Sequence, residues 1–291
     1  MGGLRKTPAG IWRAFFVGGC LATATIAAPP PAPVAPLAQF GKPDPAKGRE
    51  ALEQLRRQGI AGSYYLEFDL EILPRRGEER TLPGKLWGAQ NDDGPISRVE
   101  AGQGATAVRL LVQNGARSAA WRFRPGGGIE QLGVSALFEP IVPDTQITAF
   151  DLQMPFIFWD DFTYEGLTRF RGRPTHVLVL RPPADFAARY PALKAVRVHL
   201  DTQFNALVET ELLGAGDKVL KTMDVVDLKK VDELWIPKTF DFRDEETRNK
   251  TRFEVTAAAL RLDFSPTLFA PAALAEEVRP PAGERLERFA P

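Results

Sequence analysis

The 291-residue chain offers few groups that could do chemistry. It has two histidines, His176 and His199, and one cysteine, Cys20. Neither histidine stands in an HExxH or HxH context, and no third is present to complete a zinc set, so no metal and no cofactor is expected. A serine triad needs a nucleophile on a sharp elbow. There is no GxSxG, and Ser63, Ser97, Ser118, Ser135 and Ser265 fall in turns or at strand starts. Asp160-Asp161 is an acidic pair beside aromatics, but adjacent residues point apart and the local sequence reads as a turn or helix cap rather than a glycosidase pair. Gly126-Gly127-Gly128 has no following helix or lysine, which a phosphate loop requires. No catalytic residue is assigned, and the reading turns to binding.

The residues best suited to binding are aromatic. Phe156, Phe158, Trp159, Phe162 and Tyr164 fall within nine positions. Such a cluster either plugs the end of a barrel core or lines and gates an apolar cleft, since pockets for apolar ligands are built from these side chains. With Phe68 and Leu70 from one strand and Trp121 from another, they form the candidate lining or lid of an apolar cavity.

The elements that must position them are mostly strands. Residues 45–58 carry helix signals: Asp44 at the N-cap, Pro45 at the first helical position, Gly59 past the end, and a narrow stripe of Ala51, Leu52 and Leu55. From Ser63 the period becomes two, with Tyr64, Leu66, Phe68, Leu70 and Ile72 alternating against polar positions. Residues 81–90 read as the return strand, and 107–115 with 118–126 as a hairpin turning at Asn114-Gly115. Between 133 and 168 the strand pattern breaks, and Asp144 or Thr145 is the expected cap of a short helix over 147–152. A buried strand at 176–183 and a helical turn at 186–193 follow. Residues 197–264 then read as five successive strands, with a shift of alternation near Ala259-Leu260 that predicts a β-bulge. The fold class is mainly β (α+β): an unclosed antiparallel half-barrel of about 11 strands with helices over its concave face.

The termini point to export. Arg5, Lys6 and Arg13 precede an apolar run to Ala28, and Ala22-Thr23-Ala24 supplies the small residues of a cleavage site, so 1–24 reads as a signal peptide. Val17-Gly18-Gly19-Cys20 also resembles a lipobox, which makes Cys20 a lipidation candidate. Residues 25–44 are a Pro/Ala-rich linker, 45–275 the folded domain, and 276–291 a disordered tail. Formal charge is zero, and loss of residues 1–24 takes it to −3, a poor balance for nucleic-acid binding.

Several features occur together over residues 144–269. FTYEGL (162–167) is followed after Gly172-Arg173 by HVLVLRPP. Tyr190 leads into RVHLDTQ with Asp201, Trp235-Ile236-Pro237 opens the next strand, and DFSPTLF (263–269) closes the domain. In this order they resemble the LolA/LolB-like outer-membrane lipoprotein-sorting family. The resemblance implies an open barrel enclosing an apolar cavity for acyl chains, with lipid acyl chains or lipoproteins as partners, a monomer in the periplasm, and no enzymatic activity. The alternative is an envelope scaffold or sensor that binds a protein partner, such as a membrane transporter.

Overall fold

The computed structural model describes residues 43–104, 107–115 and 117–290. Residues 1–24, expected to be a signal peptide, Cys20 and nearly all of residues 25–44, expected to be a linker, lie outside these residues. Helix α1 (Pro45–Arg57) begins as the sequence requires: the Asp44 side chain accepts from the Ala46 amide at 2.9 Å. Its buried stripe is Ala51, Leu52 and Leu55. Two further short helices follow, α2 (Ala149–Gln153) and α3 (Ala184–Arg189).

The strands are β1 (Ser63–Leu73), β2 (Arg80–Asn91), β3 (Gly94–Ala101), β4 (Val108–Gln113), β5 (Ala119–Arg124) and β6 (Gly128–Gln131), then β7 (Phe162–Phe170), β8 (Arg173–Leu180), β9 (Ala195–Asp201), β10 (Leu207–Leu213), β11 (Val219–Val231), β12 (Leu234–Asp244), β13 (Lys250–Leu262) and β14 (Glu287–Arg288). They form one antiparallel sheet in the order β6-β5-β4-β3-β2-β1-β13-β12-β11-β10-β9-β8-β7, with β14 pairing β13 beside that path. The sheet is unclosed and mainly antiparallel, as expected. It exceeds the expected eleven strands because β3, β6 and the two-residue β14 carry no clear alternation, and because β7 lies at the end of the 133–168 stretch in which the strand pattern of the sequence breaks. β3 is buried on both faces, with Ile96 and Arg98 on one side and Val99 and Ala101 on the other.

This order has a consequence. Neighbours in the sheet are neighbours in sequence except at β1–β13, where the last long strand returns beside the first. The two free edges, β6 and β7, are therefore consecutive in the chain. The connection between them, residues 132–161, must span the gap that a closed barrel would not have.

Local sequence explains the curvature. The β1–β13 register steps from Ser63↔Leu262 to Tyr65↔Ala259, so β13 carries an extra residue there, with Arg261 at φ 53°. This is the bulge expected near Ala259-Leu260, and a second register shift follows at Glu67/Phe68. Bulges bend the strand and raise its twist. Gly84 in β2 makes room on the inner face: a Cβ there would lie 2.2 Å from the Phe68 ring.

The outer face of the first strands is covered as well. Tyr65, Trp87, Arg98, Leu111 and Trp121 face one another across β1 to β5. Residues 266–276 lie over this face, where Leu274 packs with Ile96 and Leu111. Arg98, fully buried, donates to Glu100 at 2.7 Å and to the carbonyls of Ala273 (2.8 Å) and Glu276 (2.5 Å). Beyond them, Glu287 and Arg288 pair with β13 in a stretch that reads from sequence as a tail.

Candidate functional site

The 132–161 connection carries a 3-10 turn at Ser135–Phe138, then α2, then a second 3-10 turn at Pro155–Phe158. Helix α2 is capped by Thr148, not by Asp144 or Thr145. The Thr148 hydroxyl accepts from the Asp151 amide, and the Asp151 carboxylate accepts from the Thr148 amide at 2.8 Å and its hydroxyl at 2.6 Å. A residue that caps must keep an extended backbone and present its oxygen to the third amide beyond. Asp144 instead sits at φ 68° in a turn, and the Thr145 hydroxyl is committed to the Val142 carbonyl at 2.7 Å.

This connection lies inside the curved sheet. Phe150 and Phe156 are almost fully buried and pack with residues of α1, β4, β5 and β7 to β10. Ile141, Val142 and Ile147 of the same connection pack against β1, β12 and β13. Polar contacts fasten it at several points. Arg56 of α1 donates to the carbonyls of Ile157 (2.8 Å) and Trp159 (3.0 Å). Gln153 donates to the Gln113 carbonyl at 2.9 Å. Asp151 forms an ion pair with Lys221 of β11, with both side chains largely removed from water.

A cleft of about 920 Å3 remains open at one end of this plug. One wall is the β5–β6 edge (Ala119, Ala120, Gln131, Leu132), and the other is the stretch from Pro155 to Asp160 that leads into β7. Leu137 and Phe186 add apolar surface, while Arg56, Asp92, Asp93, Asp160, Asp185 and Arg189 supply charge. The cleft therefore lies between one free sheet edge and the segment that leads to the other.

The predicted lining residues separate into groups. Phe158 and Trp159 line the cleft. Phe158 is half-buried, with the Arg56 guanidinium 6.0 Å from its ring centre. Trp159 is only 6% exposed and packs among Phe150, Phe156 and Phe186. Phe156 lies behind it in the plug. Phe162 and Tyr164 sit on β7 under α1: Arg49 covers the Phe162 ring at 5.3 Å, and the Tyr164 hydroxyl meets His176 Nδ1 at 2.8 Å. Burial, followed by Lys47, holds His176 below the ordinary histidine range, and burial followed by Asp44 raises Tyr164. Phe68 and Leu70 are fully buried in the inner core, Phe68 stacked on Phe253 at 4.1 Å. Trp121 points to the opposite face of the sheet, against Leu111 and Leu274, so it belongs to the outer cover rather than to the cleft.

Other aromatics complete the plug. Phe138 stacks on Tyr190 at 3.8 Å and on Phe150 at 4.5 Å, with Phe186 against its edge at 6.2 Å. These residues come from three separate stretches with no shared period. Only the topology brings them together.

Solved structures with the same fold include three from bacteria. A candidate outer membrane lipoprotein-sorting protein domain from Vibrio parahaemolyticus is 18% identical, with a TM-score of 0.68 over 79% of this chain and 99% of its own. A DUF1329 family protein from Desulfovibrio piger is 15% identical, with a TM-score of 0.68 over 80% of this chain and all of its own. A LolA superfamily protein from Nitrosomonas europaea is 14% identical, with a TM-score of 0.57 over 76% and 96%. A protein-family model described as "Uncharacterized protein" matches residues 143–276. No curated protein matches. At these identities the likeness is one of fold: the chain has the LolA-like open barrel that its residues resemble.

Proposed function

We propose that this chain is an exported envelope protein of the periplasm that carries the acyl chains of a lipid or lipoprotein without catalysing a reaction. One observation carries the reading: the two free edges of the sheet are joined by an aromatic plug, and a cleft stays open beside it. Its volume falls within the roughly 300–1,000 Å3 range of small-molecule sites. Apolar side chains in the cleft wall can take hydrocarbon from water at about 0.8 kcal/mol per methylene. The charged rim (Arg56, Arg189 and the nearby aspartates) is chemically suited to a headgroup that stays at the surface. Movement of the plug would lengthen the cleft into the apolar inner face where Phe68 and Leu70 lie. Fold resemblance to the structures above supports this class of function by analogy.

The test is native mass spectrometry of the purified full chain, with lipid extraction and displacement of a fluorescent fatty acid. Acyl lipid bound at close to one per chain is the expected result. A chain that carries no lipid and leaves the probe free would refute the carrier reading.

The second reading is an envelope scaffold or sensor bound to a protein partner. It rests on the apolar side chains left exposed on the β11–β12 hairpin: Val226, Leu228 and above all Trp235, which is 67% exposed. A partner recovered by cross-linking, absent with Trp235→Ser and present in lipid-free protein, would favour it.

A further inference from the structure

His199, Glu209 and Glu211 lie together on the outer face of β9 and β10. His199 stands directly opposite Glu209 in the register, and Glu211 is two residues further along, opposite Arg197. Val198, Leu200 and Leu212 point the other way, into the core. One ligand-type atom from each of the three lies within 4.8 Å of the others. His199 and Glu209 are more than nine-tenths buried. The Phe170 ring covers the imidazole at 4.7 Å, and the imidazole Nδ1 is buried with no hydrogen-bond partner. A buried ring nitrogen without a partner is rare, because it forfeits the hydrogen bond it had in water.

The geometry points to a divalent metal site formed by His199, Glu209 and Glu211, of the imidazole–carboxylate chemistry that suits Zn2+. One nitrogen and two carboxylate oxygens form a common three-ligand set, leaving a fourth position for water. Ligand bonds of about 2.0–2.2 Å place tetrahedral donors about 3.5 Å apart, so the cluster would close by about 1 Å through side-chain rotation. Each of the two glutamates already has a cationic partner at one oxygen. Arg197 meets Glu211 at 2.5 Å, and Arg171 meets Glu209 at 3.4 Å and the neighbouring Asp224 at 2.5 Å. Such outer contacts orient metal ligands rather than replace them. A metal here would tie β9 to β10 on the face away from the plug, so its effect would fall on the sheet and not on the cleft.

The experiment is titration of the chelator-stripped full chain with ZnCl2, read by native mass spectrometry and by thermal melting. One Zn2+ per chain and an upward shift in Tm are expected. His199→Gln and Glu209→Gln should each weaken binding by at least the ~10–100-fold that loss of an outer partner costs. Co2+ provides a second readout that does not depend on the variants: its visible absorption should report imidazole and carboxylate ligands in the wild-type chain. No bound Zn2+, or binding that both variants retain unchanged, would overturn the site.

Discussion

Lys221→Met removes the ammonium that meets Asp151 inside the barrel while keeping the length of the side chain. The pair joins the plug to the sheet: Asp151 belongs to α2 and Lys221 to β11. Their side chains are 5% and 12% exposed. Removing one partner of a buried pair costs about 3–5 kcal/mol because the other charge is stranded. Asp151 keeps the Thr148 amide and hydroxyl, and Lys221 touches solvent, so a smaller loss than that, about 2–3 kcal/mol, is expected here. If the plug opens as a unit, this energy falls on its opening equilibrium, a factor of about 30–150. Hydrogen exchange reads it directly. The amides of Leu152 and Met154, bonded to the Thr148 and Phe150 carbonyls, should exchange about 30–150 times faster. Amides of β13 beside β1 should accelerate much less. Equal acceleration of both sets would mean that the plug opens only when the whole domain unfolds. That result would refute its role as a lid.

Three further outcomes can be checked. Phe158→Asp, at a half-buried cleft position, should weaken fatty-acid binding with little change in urea midpoint. Trp159→Ala removes a buried ring and should cost about 3–5 kcal/mol of stability, so equal losses in the two variants would place Phe158 in the core. Gly48→Ala would ordinarily stabilise a helix by about 1 kcal/mol. Here the new Cβ would lie 2.5 Å from Tyr164 Cβ, so a net loss of about 1–3 kcal/mol is expected by urea denaturation, and a gain would show that α1 shifts freely on β7. His176 titrates below its ordinary range in the folded chain, chiefly through burial. Below about pH 6.5 the unfolded chain therefore takes up a proton that the folded chain does not, so this stability is present above that pH and is lost as the pH falls through it. His176→Gln should flatten the drop in urea midpoint between about pH 7.5 and 5.5, leaving the part that His199, lowered in the same direction, contributes. An unchanged slope would show that His176 does not carry it.

The sequence by itself determined what is local. Period-two alternation marks β1, the Asp44 cap and Pro45 start α1, and the shift of alternation near Ala259-Leu260 marks a bulge in β13. Each depends only on a residue and its near neighbours along the chain. The scarcity of histidine and cysteine is equally legible, because it is a matter of composition. The tertiary structure decided which faces are covered and by what. Alternation separates the two faces of a strand but does not say which of them meets another layer. Phe68 therefore lies in the inner core, while Trp121, also on a strand, lies under the C-terminal segment on the outside. β3 escapes notice because both of its faces are buried and a buried arginine stands where an apolar residue would signal a strand. The plug is also a product of topology. Phe138, Phe150, Phe156, Phe186 and Tyr190 share no spacing. The first three lie where they do because β6 and β7 are the free edges of the sheet, so the chain between them must cross the open barrel, and Phe186 and Tyr190 meet them from the β8–β9 connection.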